Sequence, residues 1–536
     1  MSPIHKKRFP HVLVLLIIAM LSGCAADTSE QPDKSGYAVT ERSLQQISED
    51  LAAGRTSSAI LTGGYIARIT AMDGQLNSVI AIAPDAMEQA AASDARRAWG
   101  ESLGPLDGIP ILLKDNVDMV GMPTTAGSFA LENNFPERDA EVTQRLRDAG
   151  AILLGKANLS QFAGFRNTAS FNGSTVGGSP KNPYDITRSP AGSSSGSGVA
   201  TAMSFAAATI GTETGGSIVG PSSVNGIVGM KPTIALVSRR GIVPISLNQD
   251  SSGPMTRSVA DAAMILDVIA GTDSEDPWSE DADQRLQSYT EALDADALQG
   301  TRVGVIRPAG SSASHILPIF ETALEVLATE GAQLIDLSED ALVDPRPEMR
   351  TILLQDFKLD LNAYLETTPG SVEVRTLADL IEFSLSDPRE SMHTMDYWDD
   401  AEATTGGRSN AAYQAALASG RRLTRAEGID RLLAEYQLDV LVSPTGLPAS
   451  KIEPDGTPRA GPIPEGPRGT RPPGLTVVAA VAGYPLITVP MGLHDGLPVG
   501  ITFAGSAWTE AQLIGLAYDY EQASHARVPP KRATGG

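Results

Sequence analysis

The stretch from Ser189 to Ser223 concentrates hydroxyl groups and glycines as a nucleophilic site would. It begins Ser189-Pro190-Ala191-Gly192-Ser193-Ser194-Ser195-Gly196-Ser197-Gly198. It runs on through the small apolar segment Val199 to Ala208, and reaches Gly211-Thr212-Glu213-Thr214-Gly215-Gly216-Ser217-Ile218. A Ser/Gly run by itself reads as a flexible linker. A linker would not continue into an Ala-rich apolar segment and a second Gly-rich turn. Glycine lets backbone N–H groups approach a ligand closely, so 214–217 is suited to aiming several N–H groups at one oxyanion.

A serine nucleophile needs a base. The six histidines are His5, His11, His315, His393, His494 and His525, and none falls between Ser35 and Arg307. Lysine is the other option. Lys114 directly follows the short apolar run Ile109 to Leu113, and the C-terminal ends of strands in α/β sheets are where sites gather. An apolar setting disfavours the ammonium form, so a buried lysine can accept a proton near neutral pH. The simpler alternative is that Lys114 pairs with Asp115.

These residues need a scaffold. Ile109–Leu113 after Gly108 and Ala151–Leu154 read as short buried strands. Between them, Asp139 is placed to cap a helix carrying Val142, Leu146 and Ala149 on one face. That is a β–helix–β pattern and predicts an α/β fold. Val199–Ala208 is a helix candidate. Val440-Leu441-Val442 is a strand candidate, followed by a Pro- and Gly-rich excursion from Pro454 to Gly474. Near the start, Leu44, Ile47 and Leu51 recur at helical spacing, with Ser43-x-x-Gln46 as a capping box.

The Ser189–Ser223 segment resembles the signature of the amidase signature family. Five further stretches carry the resemblance: Gly104–Pro110 before Lys114, Thr124–Ser128, Gly155–Asn158, Gly226–Thr233 and Gly483–Gly492. The likeness runs from about residue 40 to 530 and is strongest over 104–270. It implies a large mixed β-sheet covered by helices on both faces, and a catalytic triad of Lys114, Ser193 and Ser217. Ser217 would be the nucleophile. Ser193, after a cis peptide bond from Gly192, would bridge it to Lys114. The backbone N–H groups of Thr214, Gly215, Gly216 and Ser217 would form the oxyanion hole. No metal or organic cofactor is implied.

Two positions depart from the family pattern. Ala191 replaces the first glycine of the Ser/Gly run. Val219, then Gly220, stand where many members carry an arginine that in some relatives grips an acidic substrate, which favours neutral substrates here and leaves Glu213 without that partner. The run Leu236–Ser246, with Asp250, Gly253 and Pro254, resembles the peptide-amidase branch, which removes C-terminal amides from peptides.

The 536 residues hold 42% apolar side chains and a net charge of −23. That suffices for a large core and disfavours phosphate-backbone binding, so no nucleic-acid partner is expected. The first 23 residues form a basic and then apolar export signal, too short to span a bilayer. They end at Leu21-Ser22-Gly23-Cys24, which resembles a bacterial lipobox. Cys24 is the only cysteine and is expected to be lipidated, with 24–38 as a flexible tether and 39–534 as the amidase domain. The protein is then exported and lipid-anchored in the cell envelope. Ala25 permits sorting to the outer membrane, on the periplasmic side.

An amidotransferase A-type subunit, which resembles the same family but works on charged tRNA with cytoplasmic partners, is a competing reading that the export signal and acidic charge argue against, and two more compete. Gly192-Ser193-Ser194-Ser195-Gly196 matches the G-x-S-x-G elbow of α/β-hydrolases, which makes Ser194 the nucleophile of an esterase with a partner such as His494. A lipoprotein that binds an amide or peptide without cleaving it is the other. Neither reading gives the oligomeric state.

Overall fold

The computed structural model describes residues 36–166, 173–307, 314–338, 340–390, 395–452 and 474–534. The expected signal, Cys24, the tether up to residue 35, and the Pro- and Gly-rich excursion from Pro454 as far as residue 473 lie outside the described residues. Among the described residues no helix is long and apolar enough to cross a membrane.

Among the described residues eleven strands form one large sheet, mixed as expected. They are β1 (Val79–Ile82), β2 (Pro110–Lys114), β3 (Ile152–Ala157), β4 (Ala208–Glu213), β5 (Val228–Lys231), β6 (Ser251–Thr256), β7 (Arg302–Ile306), β8 (Gln333–Leu337), β9 (Val440–Pro444), β10 (Leu486–His494) and β11 (Leu497–Ala504). Their order across the sheet is β1-β3-β2-β4-β6-β5-β10-β11-β9-β7-β8. β2 runs parallel to both β3 and β4, and β7 parallel to both β8 and β9. The other pairings are antiparallel.

Successive side chains of a strand point to opposite faces, and both faces of this sheet are covered. In β9, Val440 and Val442 join one apolar cluster and Leu441 a second. Every residue of β2, β3 and β4 is buried, as strands covered on both sides must be. Because β2 and β4 are parallel neighbours, their C-terminal ends meet at one edge of the sheet. Lys114 closes the first strand and Glu213 the second.

Local signals held unevenly. The helix Leu44–Ala52 carries the Ser43/Gln46 capping box in full. The helix between β2 and β3 is Glu141–Asp148, but Asp139 does not cap it: the cap is Ala140, with no side-chain bond. Asp139 instead accepts from the Val120 N–H at 2.7 Å and from Arg147 at 2.7 Å. Its carboxylate is spent on a loop and a cation, so the helix end goes without. The helix expected over Val199–Ala208 is Ser195–Ala202. The chain then reverses, with Ser204 at φ 53°, and Ala208 opens β4.

Candidate active site

Lys114 is fully buried, and its Nζ meets three oxygens. Ser193 Oγ lies at 2.8 Å, Thr212 Oγ1 at 2.8 Å and the Thr212 carbonyl at 3.2 Å. Burial pushes the Lys114 pKa down to about 7, against an opposing pull from the carboxylates of Asp250 and Glu213. An amine in that range is a working base at neutral pH. Asp115 is not its partner: the cation beside Asp115 is Lys156, at 3.2 Å.

Ser193 is held from both sides. The Gly192–Ser193 peptide bond is cis, as the family resemblance implied. The Ser193 carbonyl accepts from the Ser160 N–H at 2.9 Å. Ser194, the nucleophile of the elbow reading, is fully buried. Its Oγ donates to the Thr212 carbonyl at 3.1 Å and accepts from the Thr212 N–H at 3.2 Å. That hydroxyl is a strap between segments, with no room to receive a substrate. The start of this helix is pressed against its neighbours. A methyl group on Gly196 would lie 2.3 Å from the Ser78 carbonyl oxygen and 2.5 Å from the Asn158 nitrogen.

Ser217 sits just beyond β4, partly exposed. Among the described residues no side-chain hydrogen bond joins Ser217 to Ser193; their segments meet through the Ser194 N–H, which donates to the Ser217 carbonyl at 3.2 Å. Gly216 takes φ +113°, a backbone state that glycine reaches at low cost. Glu213, fully buried at the end of β4, accepts from the N–H groups of Ile218 at 2.7 Å and Val219 at 3.0 Å. The Gly216 N–H also faces this carboxylate. Among the described residues the N–H groups of Thr214, Gly215 and Ser217 donate to no backbone acceptor.

Three residues join the site that sequence reasoning left without a role. Thr212 brackets Lys114. Asn116 Nδ2 donates to Thr212 Oγ1 at 3.0 Å. Asp250 accepts from Thr214 Oγ1 at 2.5 Å and from the N–H groups of Ile245 and Ser246 at 2.8 and 2.9 Å. Burial pushes its pKa up to about 7.

The walls come from distant segments. A methyl group on Gly215 would come within 2.6 Å of Met349 Cε, and one on Gly216 within 3.4 Å of Thr476 Cγ2. The helices Arg346–Thr367 and Leu475–Ala482 therefore flank the serine loop. Across from them, a methyl on Gly164 would lie 3.8 Å from Ser193 Cβ. Among the described residues no group of three or more His, Cys, Asp or Glu side chains is arranged to hold a metal ion.

Comparison with known proteins gives a consistent result. The family model described as Amidase matches residues 61–514. A probable amidase of Arabidopsis thaliana is 35% identical over 544 residues, covering 98% of each chain. The structure of native peptide amidase from Stenotrophomonas maltophilia superposes with a TM-score of 0.84 at 43% identity, covering 91% of this chain and 98% of that one. The structure of an amidase family protein from Bacillus anthracis superposes with a TM-score of 0.80 at 31% identity, covering 92% of this chain and 93% of that one.

Proposed function

The chain belongs to the amidase family and is a hydrolase of carbon–nitrogen bonds, and on that premise we propose that it cleaves a linear carboxamide through a relay of Ser217, Ser193 and Lys114. Neutral Lys114 accepts a proton from Ser193 Oγ. Ser193 accepts one from Ser217 as Ser217 Oγ bonds to the amide carbonyl carbon. The tetrahedral oxyanion takes hydrogen bonds from the N–H groups of Thr214, Gly215 and Ser217, with the Gly216 N–H, expected in the same hole, turned to the Glu213 carboxylate. When the carbon–nitrogen bond breaks, the relay returns the proton to the departing nitrogen, releasing ammonia or an amine. Water then enters along the same relay and hydrolyses the acyl-enzyme to the carboxylate, which frees Ser217.

The observation that carries this reading is the 2.8 Å contact from Lys114 Nζ to Ser193 Oγ inside a fully buried pocket. It pairs a base with a hydroxyl where burial brings the pKa of the base down to about 7. Ser194 offers no comparable pairing. We take the substrate to be a neutral amide, with the C-terminal amide of a peptide as the leading class. The 43% identity to a peptide amidase supports this. So does Val219, which stands where an acid-gripping arginine would.

The test is a panel of peptide amides, aryl amides and fatty amides, scored by ammonia or amine release, with mass spectrometry of the acyl-enzyme. Acylation at Ser217 and turnover of peptide amides are expected; acylation at Ser194 overturns the relay. The export signal and Cys24 support a lipid-anchored protein of the cell envelope, on the periplasmic side of the outer membrane.

A further inference from the structure

Glu213 is buried at the end of β4, one residue before the serine loop, and the relay gives it no proton to move. Its surroundings are unusual for an idle carboxylate. One oxygen, Oε2, gathers the N–H groups of Ile218 and Val219, at 2.7 and 3.0 Å. The Gly216 N–H also faces the group. The other oxygen, Oε1, is buried without a hydrogen-bond partner. A buried, half-satisfied carboxylate is costly unless it is compensated.

A second buried lysine compensates in part. Burial raises the Glu213 pKa, and Lys231, fully buried at the end of β5 and donating to the Pro232 carbonyl at 2.8 Å, opposes that rise with its charge. Burial lowers the Lys231 pKa to about 8, against an opposing pull from Glu213 and Glu510. The other cation that senses Glu213 is Lys114 itself.

We propose that the Glu213 carboxylate, with buried Lys231 as its counter-charge, is the positioning residue of the nucleophile loop. It collects the N–H groups on either side of Ser217, at Gly216, Ile218 and Val219, and so leaves those of Thr214, Gly215 and Ser217 facing the substrate. The N–H groups around the nucleophile are thereby divided between a buried internal anion and the transient oxyanion. The arrangement also ties the loop to the base, because the same charge supports the ammonium that forms on Lys114 during turnover.

This rests on Ser217 being the nucleophile, and the experiment separates the two. Steady-state kinetics and pH profiles of Glu213→Gln, Glu213→Asp and Lys231→Met are measured on the preferred amide, beside Ser217→Ala, with melting temperatures for all. Glu213→Gln should lose about 10- to 100-fold in kcat, the scale of a misplaced oxyanion donor, with KM nearly unchanged. Its acid limb should move to lower pH, since Lys114 loses a supporting negative charge. A merely structural role would not move that limb. Glu213→Asp keeps the charge and shortens the reach, so kcat should fall while the limb stays; this variant carries the test if Glu213→Gln does not fold. Glu213→Gln/Lys231→Met should be no slower than Glu213→Gln alone.

A wild-type kcat and acid limb in Glu213→Gln, beside a dead Ser217→Ala, overturns the positioning role alone. Additive losses in the double variant overturn the part assigned to Lys231. An active Ser217→Ala overturns the nucleophile assignment and this proposal with it.

Discussion

Thr212 meets Lys114 twice, with its hydroxyl at 2.8 Å and its carbonyl at 3.2 Å from the same nitrogen. A neutral amine has two N–H donors and one lone pair. With both donors spent on Thr212, the lone pair is left for the hydroxyl of Ser193. The ammonium has three donors, and the same three oxygens accept them. Thr212 thus serves both protonation states, and removing its hydroxyl should cost the charged one more. Thr212→Val is expected to shift the acid limb of the kcat profile to lower pH by roughly one unit, as loss of a hydrogen bond to a charged group implies. The plateau should fall with it, while Thr212→Ser stays close to wild type. An unmoved limb in Thr212→Val counts against this role.

The relay predicts an order of damage. Ser217→Ala should abolish acylation, and Lys114→Ala should be nearly as severe. General-base contributions are ~10²–10⁴-fold and are lost non-additively within one unit, so the double variant should be little worse than Ser217→Ala. Ser193→Ala should fall between, because water can partly replace a bridging hydroxyl. Activity should be lost as pH falls through about 7, where burial has placed the Lys114 titration. Replacing His315, His393, His494 or His525 should leave most activity; a histidine variant as dead as Ser217→Ala defeats the assignment.

The base should be held at the expense of stability. Lys114 has a folded pKa of about 7 against 10.5 for the free side chain. Between those values the unfolded chain binds more protons than the folded one, so stability rises with pH across that window. Lys114→Met, similar in length and uncharged, should therefore be inactive yet more stable near pH 7, by on the order of 2–4 kcal/mol before the lost hydrogen bonds are subtracted. The gain should shrink as pH approaches 10. Denaturant melts at pH 7 and 9.5 check this, and a less stable variant at pH 7 refutes it.

Substrate charge should be switchable at one of two adjacent positions. Val219 is fully buried in the cluster with Leu441, Leu475 and Val478, whereas a side chain at Gly220 would begin in open space. Wild type is expected to prefer neutral amides over amide acids, because a buried unpaired carboxylate costs several kcal/mol. Gly220→Arg should fold and narrow that preference in kcat/KM. Val219→Arg should instead lower the melting temperature sharply. Faster turnover of malonamate-like acids by the wild type would contradict the preference.

Fractionation tests the anchor. Wild-type protein should sediment with membranes, and Cys24→Ser should release an active domain. Wild-type protein found soluble in the cytoplasm with residues 1–23 still attached would reject the lipoprotein reading.

What the sequence made legible was local or contiguous. The Ser43/Gln46 cap, the strand before Lys114 and the two Gly-rich turns all announce themselves within a few residues. Lys114 proved to be the last residue of its strand instead of the first after it. The partners of Lys114 were another matter. Thr212 and Asn116 are ordinary residues until β2 and β4 pair in parallel and bring their ends together. The Val199–Ala208 segment misled because small apolar side chains suit a buried helix and a buried strand equally, so only the packing decides where one ends. Asp139 misled because a carboxylate has more than one suitor in a folded chain.

Gly196 extends the point to engineering. It lies in the first turn of the helix after Ser193, so tightly against Ser78 and Asn158 that one added methyl would collide with backbone on two sides. A glycine inside the most recognisable stretch of the chain is therefore a clearance dimension, unconnected with proton transfer. Libraries meant to broaden substrate range should leave it fixed and place their diversity at Met349 and Thr476, whose side-chain ends lie beside the serine loop.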